Sequence, residues 1–288
     1  MPEAPEVHNV LCFLESSIKN AKIRSCKVTH PKLCANQDVS AFEHELEGEH
    51  FRAFHRLGKY LVFELDHHVL VAHMRMEGKF LVFENQAELD ALDEQKDKKH
   101  IHACFTLEDG RVLCYRDTRK FGRMYLHKKE EEHPQGNWRS LPVFANVGKD
   151  ALDPDLHASE LYEKTKKRSV PLKNVLLDQS VIAGIGNIYA DEILFEAGLS
   201  PFCKANHLDE SDWQKILDAT RRILNDASSC GGTTIRTFSY GNSHAGSYQD
   251  QLQIHGKEGE CLRCHGEIVH TKVGQRGTWY CPQCQIEK

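Results

Sequence analysis

Val181-Ile-Ala-Gly-Ile-Gly-Asn187 joins one stretch of helical periodicity to the next. Gly184 and Gly186 permit a tight double turn, and Asn187 is a residue type favoured at a helix N-cap. Free backbone N–H groups at such a start attract an anion, with phosphate the obvious one; a plain capped helical hairpin is the alternative. The helical period extends on both sides. Residues 159–167, 171–179, 187–196 and 211–227 are candidate helices, parted by Gly and Pro signals, and Gly198 and Pro201 end the third.

Further along, residues 231–259 are rich in Gly, Ser, Thr and Asn and read as a long loop. Beyond it, Cys261-Leu-Arg-Cys264 and Cys281-Pro-Gln-Cys284 are two Cys-x-x-Cys knuckles with 16 residues between them. Thiolates at this spacing suit a closed tetrahedral zinc site, so Cys261, Cys264, Cys281 and Cys284 are the expected ligands of one structural Zn2+. A disulfide or redox dithiol is the alternative. Residues 267–273 and 278–280 read as two strands, and Arg276, on the glycine-flanked tip between them, is placed to touch a phosphate.

In the other direction, residues 133–138 contain Pro134 and Gly136 and read as a linker. Residues 22–126 are strand-like, clearest at 60–65, 68–73, 79–84, 103–107 and 111–116, which suggests a β-sandwich or barrel. Residues 89–99 form a charged insertion. At the start of the chain, Val7, Val10, Leu11, Leu14 and Ile18 mark one face of a helix over 5–19, which pins residues 2–4 instead of letting them fray.

The whole chain has 288 residues, 40% hydrophobic and 27% charged, in the range of an ordinary globular protein. No apolar run approaches the roughly 18 residues needed to cross a bilayer, and no secretory signal is expected, so the expected compartment is the cytoplasm. The net charge of −5 argues mildly against a nucleic-acid partner, but basic residues cluster at 116–123 and 164–173. On charge alone a solvated charged face is the simpler reading of such clusters. The seven scattered cysteines read as small buried hydrophobes.

Taken together these segments resemble the formamidopyrimidine-DNA glycosylase family, relatives of endonuclease VIII. The resemblance rests on Met1-Pro-Glu-Ala-Pro-Glu-Val7, Leu57-Gly-Lys-Tyr60, His73-Met-Arg-Met-Glu-Gly-Lys-Phe80 and Asp117-Thr-Arg-Lys-Phe-Gly122. It continues through Leu176-Leu-Asp-Gln179, Ile185-Gly-Asn-Ile-Tyr-Ala-Asp-Glu192, Gly231-Gly-Thr-Thr234 and the four-cysteine hairpin. The motifs occur in family order over nearly the whole chain.

The resemblance implies an α+β multidomain fold: an N-terminal β-sandwich with an N-terminal helix (1–132), a helical helix–two-turn–helix domain (145–232), a lesion-recognition loop region (233–252) and a C-terminal zinc-finger β-hairpin (253–288). It implies a monomeric bacterial enzyme of base excision repair that acts on damaged double-stranded DNA and is associated with the nucleoid. Residues 240–249 and the zinc finger look more like the branch for oxidised purines (8-oxoguanine, formamidopyrimidine) than the one for oxidised pyrimidines. A non-catalytic zinc-ribbon DNA-binding protein is a further alternative.

By the same resemblance Pro2 is the nucleophile once Met1 is removed. An α-amino group, with a pKa of roughly 8, is partly neutral near neutral pH. Glu3 resembles the proton donor, and Glu6 a residue that holds the Pro2 amine. Lys59 resembles the lysine that contacts phosphate and assists β-elimination, and Arg276 the arginine assigned to δ-elimination. His73, His100, Arg168, Lys173 and Asn187 match positions near DNA. Met76, Arg119 and Phe121 resemble the trio that fills the gap left by a flipped base. Ala4, Arg75 and Thr118 depart from the usual leucine, glycine and proline.

Overall fold

The protein, a computed structural model, is described over residues 1–129, 137–234 and 245–288. Two compact units emerge. One draws its residues from Met1–Pro2, Glu6–Ala145 and Thr233–Gly246, the other from Glu3–Pro5, Asn146–Gly232 and Ser247–Lys288.

The first unit takes most of helix α1 (Ala4–Ile18) and two four-stranded antiparallel sheets. Its further elements, in chain order, are β1 (Ile23–Val28), α2 (Val39–Leu46), β2 (Ala53–Leu57), β3 (Tyr60–Glu64), β4 (His68–His73), β5 (Lys79–Phe83), α3 (Gln86–Asp90), β6 (Ile101–Leu107), β7 (Val112–Arg116) and β8 (Arg123–Lys128). The sheets run β1-β6-β7-β5 and β2-β3-β4-β8. Period-two alternation places Leu113 and Tyr115 of β7 in the main core with Phe63, Leu70 and Phe105, while Val112 and Cys114 face outward. Val7, Val10, Leu14 and Ile18 of α1 join that core, as their spacing requires.

Two local readings change. Helix α2 lies inside the stretch read as strands; Asp38 caps it by accepting the Ala41 N–H, and Phe42 and Leu46 bury one face. The charged insertion after β5 is partly inward: Asn85 caps α3, and Leu89 packs on Phe83, Val112 and Cys114.

The second unit holds helices α4 (Ala158–Thr165), α5 (Leu172–Leu177), α6 (Asn187–Ala197) and α7 (Glu210–Ser229), then a hairpin of β9 (Val269–Val273) and β10 (Arg276–Tyr280). Trp213, Tyr189, Ile193 and Leu224 are fully buried between the helices. Gly198 ends α6 in the left-handed conformation (φ 70°). Asp209 and Asp212 start α7 with a reciprocal capping box. Among the described residues no helix is long and apolar enough to cross a membrane.

Candidate active site

In the second unit the start of α6 is already occupied by a side-chain carboxyl group. Glu3 accepts the backbone N–H groups of Gly186 (2.6 Å), Ile188 (3.0 Å) and Tyr189 (3.4 Å). Of the two readings of the turn, phosphate site or capped hairpin, the cap is the one seen here, supplied by a side chain. The structure corrects the cap residue, since Gly186 is the N-cap and Asn187 the first helical residue. A methyl group on Gly186 would overlap the Glu3 carboxyl, so glycine is needed there for close approach. Ala4 N–H donates to Gly184 O (3.0 Å), which fastens the next residue to the same turn.

Asn187 turns elsewhere: its Nδ2 donates to Gly277 O (2.9 Å), and its buried Oδ1 has no partner among the described residues. Lys173 reaches the same carbonyl (2.8 Å), Thr278 Oγ1 (2.8 Å) and Asp191 (2.6 Å), at 0% exposure. Burial lowers its pKa, and the Asp191 carboxylate opposes that. Lys173, expected at a position near DNA, is thus enclosed by protein acceptors. Lys173 and Asn187 hold Gly277, the residue after the exposed Arg276. Arg276 opens β10 opposite Val273, across a turn in which Gly274 and Gln275 both have positive φ (53° and 67°). Arg168 is paired with Asp178 (2.8 Å) but keeps much of its surface in water.

The four cysteine sulfurs lie within 4.8 Å of one another, with Cys261–Cys284 at 3.8 Å and Cys264–Cys281 at 3.4 Å. Tetrahedral zinc with bonds of about 2.3 Å needs sulfurs about 3.8 Å apart, so the set fits one Zn2+.

In the first unit Pro2 is buried and Glu6 accepts the Thr233 N–H (2.7 Å). Lys59 follows Gly58 (φ 57°) in the two-residue turn between β2 and β3 and is 5% exposed. His73 is buried at the end of β4, where burial, aided by the Arg75 and Lys59 charges, pushes its pKa down to about 3. Its Nδ1 accepts the Arg75 N–H (3.0 Å), so the neutral ring carries its proton on Nε2, as a donor. Arg75 itself has φ 56°.

Two loops of this unit present apolar tips. Met76 is 38% and Phe121 49% exposed, and the Arg119 guanidinium stacks over the Phe121 ring at 4.8 Å. With Met1, Arg75 and Arg123, Met76 and Phe121 line a shallow cavity of about 400 Å³. Asp117, 1% exposed, shapes the second loop by accepting the N–H groups of Arg119, Phe121 and Gly122, each at 2.9 Å. The Tyr115 hydroxyl fills the space that a Cβ would need at both Gly78 and Gly122. His100 O accepts the Asp117 N–H (2.9 Å); burial and the Lys99 and Arg116 charges lower the His100 pKa. Asp117 is missing from the residues singled out by sequence, though an Asp followed by backbone donors two to five residues on is the pattern of a side-chain-closed turn. Residues 235–244, which include much of the expected lesion-recognition loop, lie outside the described residues.

Three family models cover the chain: the formamidopyrimidine-DNA glycosylase N-terminal domain (residues 1–124), the formamidopyrimidine-DNA glycosylase H2TH domain (147–239) and the zinc finger found in FPG and IleRS (260–286). A formamidopyrimidine-DNA glycosylase of Bacillus cereus is 39% identical over 99% of both chains. One of Listeria innocua is 37% identical, over 99% of this chain and 100% of the relative. A Lactococcus lactis FPG mutant solved in complex with Fapy-dG-containing DNA superposes with a TM-score of 0.86 at 37% identity, covering 99% of each chain. Lactococcus lactis Fpg with abasic-site DNA gives 0.86 at 36% identity, covering 98% of this chain and 99% of that one.

Proposed function

The chain belongs to the formamidopyrimidine-DNA glycosylase family, and from that premise we propose that Pro2, freed of Met1, is the nucleophile with which it removes a damaged base. It is a DNA glycosylase and abasic-site lyase of base excision repair, acting on damaged double-stranded DNA and carrying one structural zinc ion. Oxidised purines are the substrates in keeping with the name its relatives bear. We place it as a monomer in the bacterial cytoplasm, on nucleoid DNA.

The observation that supports Pro2 best is the seat of its neighbour. Glu3 is held by three N–H groups and Ala4 by donating its own N–H to the Gly184 carbonyl, so the residue before them has little freedom to fray. The Pro2 amine attacks the deoxyribose anomeric carbon while the bond to the base breaks. The Glu3 carboxyl, seated by these N–H groups, exchanges a proton with the ring oxygen. The product is an iminium ion on Pro2, which acidifies the adjacent sugar carbon; loss of that proton expels the 3′ phosphate. Lys59 assists that step, and Arg276 grips phosphate during the second elimination. Neutral His73 offers its Nε2–H to the DNA, with His100 and Arg168 as further contacts. Met76, Arg119 and Phe121 fill the gap left in the stack. Zinc, when bound, closes the hairpin that carries Arg276 and takes no part in bond making.

Borohydride should trap the protein covalently on 8-oxoguanine duplex, and Pro2→Gly should abolish trapping while duplex binding persists. Equal trapping by the variant overturns the assignment. Competition between 8-oxoguanine and 5-hydroxycytosine duplexes tests the purine preference.

A further inference from the structure

The outer face of the β1-β6-β7-β5 sheet carries a cysteine pair that the repair chemistry does not use. Cys104 on β6 and Cys114 on β7 are direct cross-strand partners, with sulfurs 2.8 Å apart. Leu107 N–H donates to Arg111 O (2.9 Å), so alternation back along the ladder makes Cys104 and Cys114 a non-hydrogen-bonded pair. At such positions the Cα atoms lie about 4.5 Å apart, within the span of a disulfide. The strands therefore need not move for the sulfurs to join.

The two thiols differ in access. Cys104 is half-buried, whereas Cys114 is completely buried. Lys27, Cys104, Cys114 and Leu81 form one row across four strands, a cation at one end and an apolar residue at the other. Leu89 and Leu92 of the insertion after β5 pack over the Cys114 side. The hydrogen-bonded contact between the two sulfurs lowers the Cys104 pKa, and the same contact and burial raise that of Cys114. Cys104 is therefore the sulfur open to a reagent from solvent, and Cys114 is held against it.

We propose that Cys104 and Cys114 form a peroxide-reactive dithiol, a modification site distinct from the zinc cysteines. The Cys104 thiolate attacks one oxygen of hydrogen peroxide, the O–O bond breaks, and Cys104 becomes a sulfenic acid while the departing hydroxide takes a proton from solvent and leaves as water. Cys114 then attacks the Cys104 sulfur, the S–O bond breaks, and a second water carries away the hydroxyl and the thiol proton. Two thiols have lost two electrons to one hydroperoxide, and a small thiol restores them by exchange.

The test treats zinc-loaded, full-length protein with limiting hydrogen peroxide, alkylates it under denaturing conditions and maps the cysteines by mass spectrometry. The expected result is the loss of two of the eleven alkylatable cysteines, recovered as a Cys104–Cys114 linked peptide that dithiothreitol releases, with zinc still bound. In Cys114→Ser, Cys104 should accumulate as a sulfenic acid captured by dimedone; in Cys104→Ser, Cys114 should stay reduced. The proposal is overturned if Cys104 and Cys114 both remain alkylatable when other cysteines have been oxidised. It is equally overturned if wild-type Cys104 proceeds to sulfinic acid without a link. The wild-type map decides the matter even if a variant fails to fold.

Discussion

Among the described residues Asp117, Glu3 and Glu192 each gather three backbone N–H groups, and the first two do so over very different distances in the chain. Asp117 collects donors from Arg119, Phe121 and Gly122, all within five residues. Glu3 collects them from Gly186, Ile188 and Tyr189, more than 180 residues away. The first arrangement makes a loop; the second fixes the end of the chain against a helix start. A local capture shapes what it belongs to, whereas a distant one makes two segments answerable to each other. Losing Asp117 should therefore harm a wedge, and losing Glu3 should harm the chemistry itself.

The sharpest way to break this contrast is Glu3→Gln, which keeps an oxygen acceptor and removes the exchangeable proton. Base excision should fall by roughly 10²- to 10⁴-fold, while borohydride trapping on a preformed abasic site, whose sugar already offers an aldehyde, survives. Equal loss of both would show that Glu3 only positions. Gly186→Ala leaves Glu3 intact but crowds its seat; overpacking should cost up to ~3 kcal/mol by denaturant unfolding, with a parallel loss of excision. Asp117→Asn turns an amide N–H₂ toward backbone donors and should cost about 2 kcal/mol. It should weaken lesion-duplex affinity by about tenfold while leaving chemistry on the bound complex nearly unchanged, a split that single-turnover kinetics would read.

His73 supplies a smaller local capture, of the Arg75 N–H, and it makes stability depend on pH. Its folded pKa of about 3 lies below the ordinary 6.5, so between those values the unfolded chain binds a proton that the native ring refuses. Stability is then lost as pH falls below about 6.5 and levels off near 3. At about pH 5 the wild type should lose up to ~2 kcal/mol relative to its value at neutral pH, a loss that His73→Gln should not show. Thermal melts across that range would check it. The smallest effect belongs to Arg75→Gly, which relieves a left-handed residue and should stabilise by up to ~1 kcal/mol while lowering affinity for DNA at low salt.

The same contrast explains what the sequence discloses. Strand β4 is legible to its last residue because the run from His68 to His73 is hydrophobic and bounded by turns. Helix α1 is legible from one apolar stripe, and the zinc ligands from spacing alone. Helix α2 is hidden by strands on either side, although Asp38, Phe42 and Leu46 stand at cap and face positions. The burial of Lys173 and the seat of Glu3 are invisible in one dimension. Nothing local marks a lysine whose acceptors, Gly277 and Thr278, are about a hundred residues away. Such pairings need the tertiary fold before they have any meaning.

The Tyr115 phenol touches the two loops that carry the exposed Met76 and Phe121 through Gly78 and Gly122, and this ties three positions into one unit of inheritance. A methyl group on either glycine collides with the same hydroxyl, so neither can drift by itself. Trading tyrosine for phenylalanine alone would not open a route to alanine, because the ring carbon that bore the hydroxyl lies 2.9 Å from a Cβ on Gly78 and 2.6 Å from one on Gly122. The separation of Met76 from Phe121 is thus set by a rigid gauge that descendants must keep whole or rebuild together.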